Sequence, residues 1–361
     1  MLILKRAITK EDKFSNLRSK VLCEKKLLLQ LMQWVAIILQ KKIIEGIKIA
    51  LSKNSNLKFL LFGDKKILAN HLDSEKNIFK NIEIYHCSEK VEDDESPLSG
   101  AKKGNSTSMW QCIEAQKKMN ADISLSAGNT GALLVTSKMI LDTIKNIDKP
   151  ALAGLWPQKN GTNIVLDLGA NLECSDKTLV NFCNMGAALR KSLFPEDDIN
   201  VALLNIGTEE IKGNENLKKA YTILKEKPNS NYNFFGFIEG NKIMKGEANV
   251  IVTDGWTGNI ALKTAEGTAT FISNYLKDSL TKDFITKISS FFVLNVFKKF
   301  KKKFDPRKYN GAIFLGLNGP VVKSHGSTDS LGFAYSISMC NKIVKGELLS
   351  KIKKNFEDSS E

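Results

Sequence analysis

The stretch NVIVTDGWTGNIALKTAEG, Asn249–Gly267, sets a short apolar run against a glycine turn and then a helix-forming segment. An apolar run of this length bounded by turn residues reads as a strand buried on both faces, and Gly, Thr and Asn are what a sharp strand-to-helix turn requires. The same grammar stands upstream in ADISLSAGNTGALL, Ala121–Leu134, where a strand again runs into G-x-T-G, and a third strand ends in a loop in NIVLDLGAN, Asn163–Asn171. Around these, LKFLLFG (57–63), IEIYHC (82–87), VALLNIG (201–207) and NFFGFIEG (233–240) read as strands. They alternate with helix-like IIEGIKIAL (43–51), SMWQCIEAQKKM (108–119) and NTGALLVTSKMILDTI (129–144). That rhythm predicts an α/β protein: a mostly parallel sheet with helices on both faces, in three layers.

Composition sets limits around this core. A chain of 361 residues, 42% apolar, can bury a large interior. Its six cysteines are scattered without C-x-x-C spacing and only three histidines are present, so no zinc pattern assembles and no metal or cofactor is expected. Reduced thiols and a cytoplasmic location follow. The net charge of +14 favours an anionic partner, among them nucleic acid, a phosphate-bearing substrate, an acidic protein or a membrane surface; AT-rich coding also enriches lysine without any functional cause. The densest basic stretch, FFVLNVFKKFKKKFDPRKY, Phe291–Tyr309, gathers Phe292, Val296, Phe297 and Phe300 on one helical side with lysines flanking it. Such a helix lies on an anionic membrane, grips an acidic protein, or packs its phenylalanines on the core.

The carboxyl ends of parallel strands collect ligands, because the loops there feed helix N-termini with unpaired N–H groups. Ser126, Gly128, Asn129, Thr130 and Gly131 form one such turn; Asp254, Gly255, Thr257, Gly258 and Asn259 form another; Asp167, Gly169 and Asn171 a third. Each taken singly is explained by helix capping. Three together describe a shared pocket suited to a phosphate, and the absence of G-x-x-x-x-G-K-[ST] and G-x-G-x-x-G argues against a nucleotide. NIGTEEIKGNE, Asn205–Glu215, adds Lys212, and GLNGPVVKSHGS, Gly316–Ser327, adds Lys323 and His325, the latter equally explained by a fixed hydrogen bond in the fold. Adjacent Ser324 and His325 diverge and cannot serve as nucleophile and base.

In order, SAGNTGALL, VLDLGAN, NIGTEEIKGNE, GFIEGN, VTDGWTGNIALKTAEG and GLNGPVVKSHGS resemble the bacterial acyl-[acyl carrier protein]:phosphate acyltransferase family, PlsX, from about Ile43 onward. The resemblance implies an isopropylmalate-dehydrogenase-like fold, a homodimer, and transfer of a fatty acyl group from acyl carrier protein to inorganic phosphate, feeding phospholipid synthesis. It marks Lys212 and Asn259 as phosphate and oxyanion binders, with Asp254 either orienting Lys212, accepting a proton or capping its helix. It also supplies targets for the basic excess: acidic acyl carrier protein and the inner face of a membrane, with no role for nucleic acid. A degenerate, non-catalytic homologue that binds carrier or membrane is the alternative.

One departure stands out. Family members begin with a strand ending in I-D-A-M-G-G-D, and this chain instead carries LLLQLMQWVAIIL, Leu27–Leu39. At thirteen residues with two glutamines the run falls short of the roughly 20 that span a bilayer, and no small-residue cleavage site follows. The single codons of Met32 and Trp34 let the overlapping frame be read back: alanine and one glycine of the family loop are forced, and the rest are permitted, over Gln30–Ile37. Residues 1–42 are therefore read as an out-of-frame segment expected to pack poorly, 43–345 as one acyltransferase domain with a basic amphipathic helix over 268–309, and 346–361 as a tail.

Overall fold

The computed structural model of the chain describes residues 28–33, 37–72, 79–281 and 305–357. Its strands are β1 (Leu28–Gln33), β2 (Lys58–Gly63), β3 (Ile82–His86), β4 (Ile123–Ser126), β5 (Ala151–Gln158), β6 (Gly161–Leu166), β7 (Asn200–Asn205), β8 (Asn233–Glu239), β9 (Val250–Val252), β10 (Ala312–Leu315) and β11 (Val321–Lys323). The helices are α1 (Ile37–Lys53), α2 (Lys65–Leu72), α3 (Pro97–Lys102), α4 (Ser108–Lys118), α5 (Thr130–Leu141), α6 (Asp176–Leu193), α7 (Glu215–Glu226), α8 (Gly255–Thr281), α9 (Ser330–Lys345) and α10 (Leu348–Glu357).

All described strands join one sheet in the order β3-β2-β1-β4-β11-β10-β5-β6-β9-β7-β8. Its strands alternate residues between two separate cores, as the two-residue side-chain period demands. Phe59 and Leu61 of β2, Ile164 and Leu166 of β6, and Val250 and Val252 of β9 enter one core. Leu60, Phe62, Val165 and Ile251 enter the other. Both faces are thus apolar and covered, which is the three-layer α/β arrangement the continuous Val/Ile/Leu runs imply.

The sheet is not parallel throughout. Strands β3, β2, β1, β4 and β11 run one way; β10 is antiparallel to both β11 and β5, and β5 is antiparallel to β6. Hence β6, β9, β7 and β8 form a second parallel block pointing opposite to the first. The carboxyl end of β4 therefore does not share a flat edge with those of β6 and β9, as the sequence grammar alone suggests. Five strand-to-strand steps separate β4 from β9, and at about 20–25° of twist each they rotate the two blocks by roughly 100° or more.

Strand β1 fills the gap between β2 and β4, pairing in parallel with both. The packed fold thus reaches N-terminal to Ile43. Such pairing uses backbone N–H and C=O groups, which every residue but proline carries, so an extended segment of suitable length satisfies two facing ladders whatever its side chains. Among the described residues, no helix is long and apolar enough to cross a membrane.

Helix α6 is the principal buttress of the second block. Ser175 caps it by accepting from Thr178 N at 3.2 Å. Gly186 lets it sit against the sheet, since a Cβ there would lie 2.6 Å from Val250 Cγ1 and 3.0 Å from Leu166 Cδ2. Phe182, fully buried, anchors the same face. Phe182→Ala is expected to destabilise the chain by about 3–5 kcal/mol, read as a lowered midpoint of urea unfolding.

Candidate active site

The loop Asp167–Asn171, following β6, is built around one carboxylate. Asp167 Oδ1 accepts from the main-chain N–H of Leu152 (3.0 Å), Gly169 (3.2 Å) and Ala170 (3.0 Å). Its Oδ2 accepts from Asn171 N (2.7 Å) and Asn171 Nδ2 (2.9 Å). Burial holds the carboxyl pKa above its ordinary value, against the downward pull of the donors from Ala170, Leu152 and Asn171. Every neighbour is a donor, so the ionised acid is the form this cage satisfies.

The first turn of α8 docks onto that loop. Gly255 N donates to Asn171 O at 2.7 Å. A Cβ on Gly258 would lie 1.9 Å from Asp167 O, and one on Gly169, at φ +126°, would lie 3.2 Å from Asn259 Nδ2. Two glycines thereby let the helix and the loop approach until Asn259 rests over Gly169. Asp254 caps the helix, its Oδ1 accepting from Thr257 N (2.7 Å) and its Oδ2 from Thr257 Oγ1 (3.1 Å).

The turn after β4 is closed in a similar way. Asn129 Oδ1 accepts from Ala132 N at 3.0 Å, Ser126 Oγ accepts from Gly128 N at 3.2 Å, and Gly131 makes room for Pro97. Asn129 Nδ2 reaches across to the carbonyls of Asp93 (3.1 Å) and Glu95 (2.8 Å), pinning an acidic loop beside the turn. Many of the amides that the glycine turns were expected to offer an anion are therefore already bonded inside the turns. Ser126, Asn129, Asp167, Asn171 and Asp254 act in this structure as their fasteners.

Cationic side chains stand beside these turns. Lys323 on β11 pairs in register with Ser126, and its ammonium donates to Ser324 O (2.6 Å) and Ala127 O (3.4 Å). Burial brings its pKa down to about 8, with Asp93 partly opposing. His325 follows, its Nδ1 engaged by Ser327 N at 3.2 Å and Ser327 Oγ at 2.9 Å. Burial and then Lys323 lower the His325 pKa; Glu266 and Lys263 act on it as well, in opposite directions. Those last two residues lie on α8, one and two turns beyond Asn259. Helix α8 thus carries charges that reach the β11 loop.

Lys212 sits on the β7–α7 loop, and β7 pairs with β9, so it shares an edge with Asp254 and Asn259. Nearly half of its side chain is exposed, with Nζ 3.9 Å from Glu209 Oε1. Asn205 shapes this loop by donating to Lys212 O (3.1 Å), while Gly213, at φ +95°, passes where a Cβ would strike Asn205 Oδ1. Asn310 does the same for the last loop, accepting from His325 N at 3.0 Å and donating to Ser324 Oγ at 2.9 Å. Neither asparagine stands out in the sequence. Among the described residues, no cluster of His, Cys, Asp and Glu could hold a metal ion.

Lys323 and Lys212 thus stand at the carboxyl ends of strands in a three-layer α/β fold. Solved structures of this architecture include the EutD phosphotransacetylase of Staphylococcus aureus (TM-score 0.58, 14% identity, 90% of this chain and 95% of that one). Another is a phosphotransacetylase of Streptococcus pyogenes (TM-score 0.60, 15% identity, 92% and 98%). At those identities they show the fold alone. The sequence model of the fatty acid synthesis protein family matches residues 39–351. A phosphate acyltransferase of Pelagibacter ubique is 53% identical over 316 residues, covering 88% of this chain and 94% of its own. One from Rhodopseudomonas palustris TIE-1 is 42% identical over 311 residues, covering 86% and 88%. The chain belongs to the fatty acid synthesis protein family and is an enzyme of the acyltransferase class.

Gly258→Ala is expected to cost about 2–3 kcal/mol, because its Cβ meets main chain that no rotamer change can move. Gly267→Ala on the same helix, with nothing within 4 Å, is expected to stabilise by up to about 1 kcal/mol. Thermal unfolding of the two variants side by side checks the pair.

Proposed function

We propose that the chain transfers a fatty acyl group from acyl-[acyl carrier protein] to inorganic phosphate. The observation that carries the proposal is the seating of Asn259 over Gly169, beside the loop built on Asp167. A phosphate oxygen attacks the thioester carbonyl, the carbonyl oxygen becomes an oxyanion, and the C–S bond then breaks. The departing sulfur takes the proton released by phosphate, leaving acyl phosphate and the carrier's free thiol. Phosphate is already nucleophilic and a thioester already electrophilic, so positioning and oxyanion stabilisation are the work required. Lys323 and Lys212 hold phosphate, Asn259 donates to the oxyanion, and His325 borders the anion. Thr130, Gly255 and Thr257 shape the walls. The acyl phosphate serves phospholipid synthesis on the cytoplasmic side of the membrane.

The homodimer belongs to the same proposal. Helix α8 projects with Phe271, Ile272 and Tyr275 each more than half exposed, an apolar face that a second copy covers. Most of the basic stretch Phe291–Tyr309, assigned to anionic membrane or acidic carrier, lies outside the described residues, as do residues 34–36. The out-of-frame origin of residues 1–42 implies that one wall of the cleft is altered and activity reduced.

The deciding assay follows phosphate-dependent release of free carrier thiol from acylated carrier, for this chain and for one carrying I-D-A-M-G-G-D in place of its first loop. Release by neither chain sinks the reaction; binding of carrier without release favours a non-catalytic homologue. Asn259→Ala is expected to lower kcat by about 10²-fold or more, and Lys212→Met to raise the phosphate KM roughly tenfold, the order of one charge-assisted hydrogen bond. Because the Lys323 ammonium binds the anion and its neutral amine does not, kcat/KM for phosphate is expected to fall as pH rises through about 8. Lys323→Arg, which stays charged, is expected to remove that limb.

A further inference from the structure

One cavity adjoins the loop on which Asn259 is seated. A groove of about 530 Å³ runs between α5 and the loop bearing Ala170 and Asn171, with Leu134, Val135, Met139 and Pro150 along its walls. Lys138 and Lys149 border it as well, and such side chains lay methylene stems on apolar surface while the charged end reaches water. Its volume lies within the range of about 300–1,000 Å³ typical of small-molecule sites.

Position makes the groove informative. Ala170 is the neighbour of Gly169, over which Asn259 sits, so the groove opens one residue from the donor assigned to the oxyanion. Its other wall is the helix whose N-terminal turn flanks Lys323. Asn171 Nδ2 bonds Pro150 O at 2.7 Å and Asp167 Oδ2 at 2.9 Å, which ties the floor of the groove to the same carboxylate cage that seats α8. Met139 is 58% exposed and Leu134 and Val135 are half-buried, an apolar surface at a site mouth that the fold's own packing leaves uncovered. Methionine is the side chain best able to reshape around chains of different length.

We propose that this groove receives the alkyl chain of the acyl donor, entering beside Ala170 and running along α5 past Met139, and that Met139 sets the chain length accepted. The assignment rests on the acyl-transfer reading given above. It places the carbonyl carbon at Gly169 and Asn259, the phosphate toward Lys323, and the hydrocarbon away from both.

The test compares octanoyl, dodecanoyl and hexadecanoyl carrier as donors for the native chain and for Met139→Trp, which fills the groove without touching the donors of the site. If the variant keeps its octanoyl kcat/KM and loses hexadecanoyl kcat/KM by roughly fourfold for each methylene excluded, the groove is the chain's seat. A loss equal at all lengths, or no loss, overturns it while leaving the reaction standing. If no donor turns over, the reaction falls, and the groove is judged by binding of the fluorescent fatty acid cis-parinaric acid: affinity lowered at least tenfold by Met139→Trp upholds it, and unchanged affinity overturns it.

Discussion

The buried carboxylate of Asp167 is the constraint on which the cleft depends. Five N–H donors converge on its two oxygens, from Leu152 on the neighbouring strand and from Gly169, Ala170 and Asn171 in the loop that follows. A loop of this curvature exposes several main-chain amides at once, and each would be costly if buried unpaired. One side chain satisfies them together and so fixes the loop in a single shape. Onto that shape the first turn of α8 is pressed, with Gly258 against Asp167 O and Gly255 N on Asn171 O. The position of Asn259 is therefore set by a residue that need never meet the substrate.

This division of labour recurs around the cleft. Asn129, Asp254, Asn205 and Asn310 are polar residues beside the site whose hydrogen bonds run to their own turns or to neighbouring loops. Polar side chains spent in this way hold loops rigid while leaving few amides over. In the proposed reaction the anion falls to lysines on the two strand blocks, Lys323 on one and Lys212 on the other. Charge on two separately placed side chains suits a substrate that must also admit a second, bulkier reactant between them.

Much of this was legible in the sequence because the repeated elements are local. The apolar run Val250–Val252 followed by Asp254 and Gly255 specifies strand, cap and helix within a few residues, and the structure forms β9 and α8 there. The turn at Gly128 and the strands at Lys58, Ile82 and Asn200 follow the same local rules. Strand direction was not legible. Nothing in Ala312–Leu315 marks it as antiparallel to both neighbours, since that is decided by how the chain returns after α8 rather than by its own residues. The same blindness hid the roles of Asn205 and Asn310, whose partners lie 7 and between 14 and 22 residues away in sequence. Whether an asparagine fastens a loop or meets a ligand depends on what folding brings opposite it.

Strand β1 presents the converse case. Its neighbours β2 and β4 each leave a ladder of backbone groups facing the gap between them, and β1 satisfies both. Backbone pairing does not read side chains, so a six-residue extended segment holds the centre of the sheet even where its words differ from those of related chains. A loop that lines a cleft has no such tolerance, because its function lies in particular side chains and in glycines that permit close approach. An altered reading of this segment would accordingly spare the architecture: the sheet would still close around Leu28–Gln33.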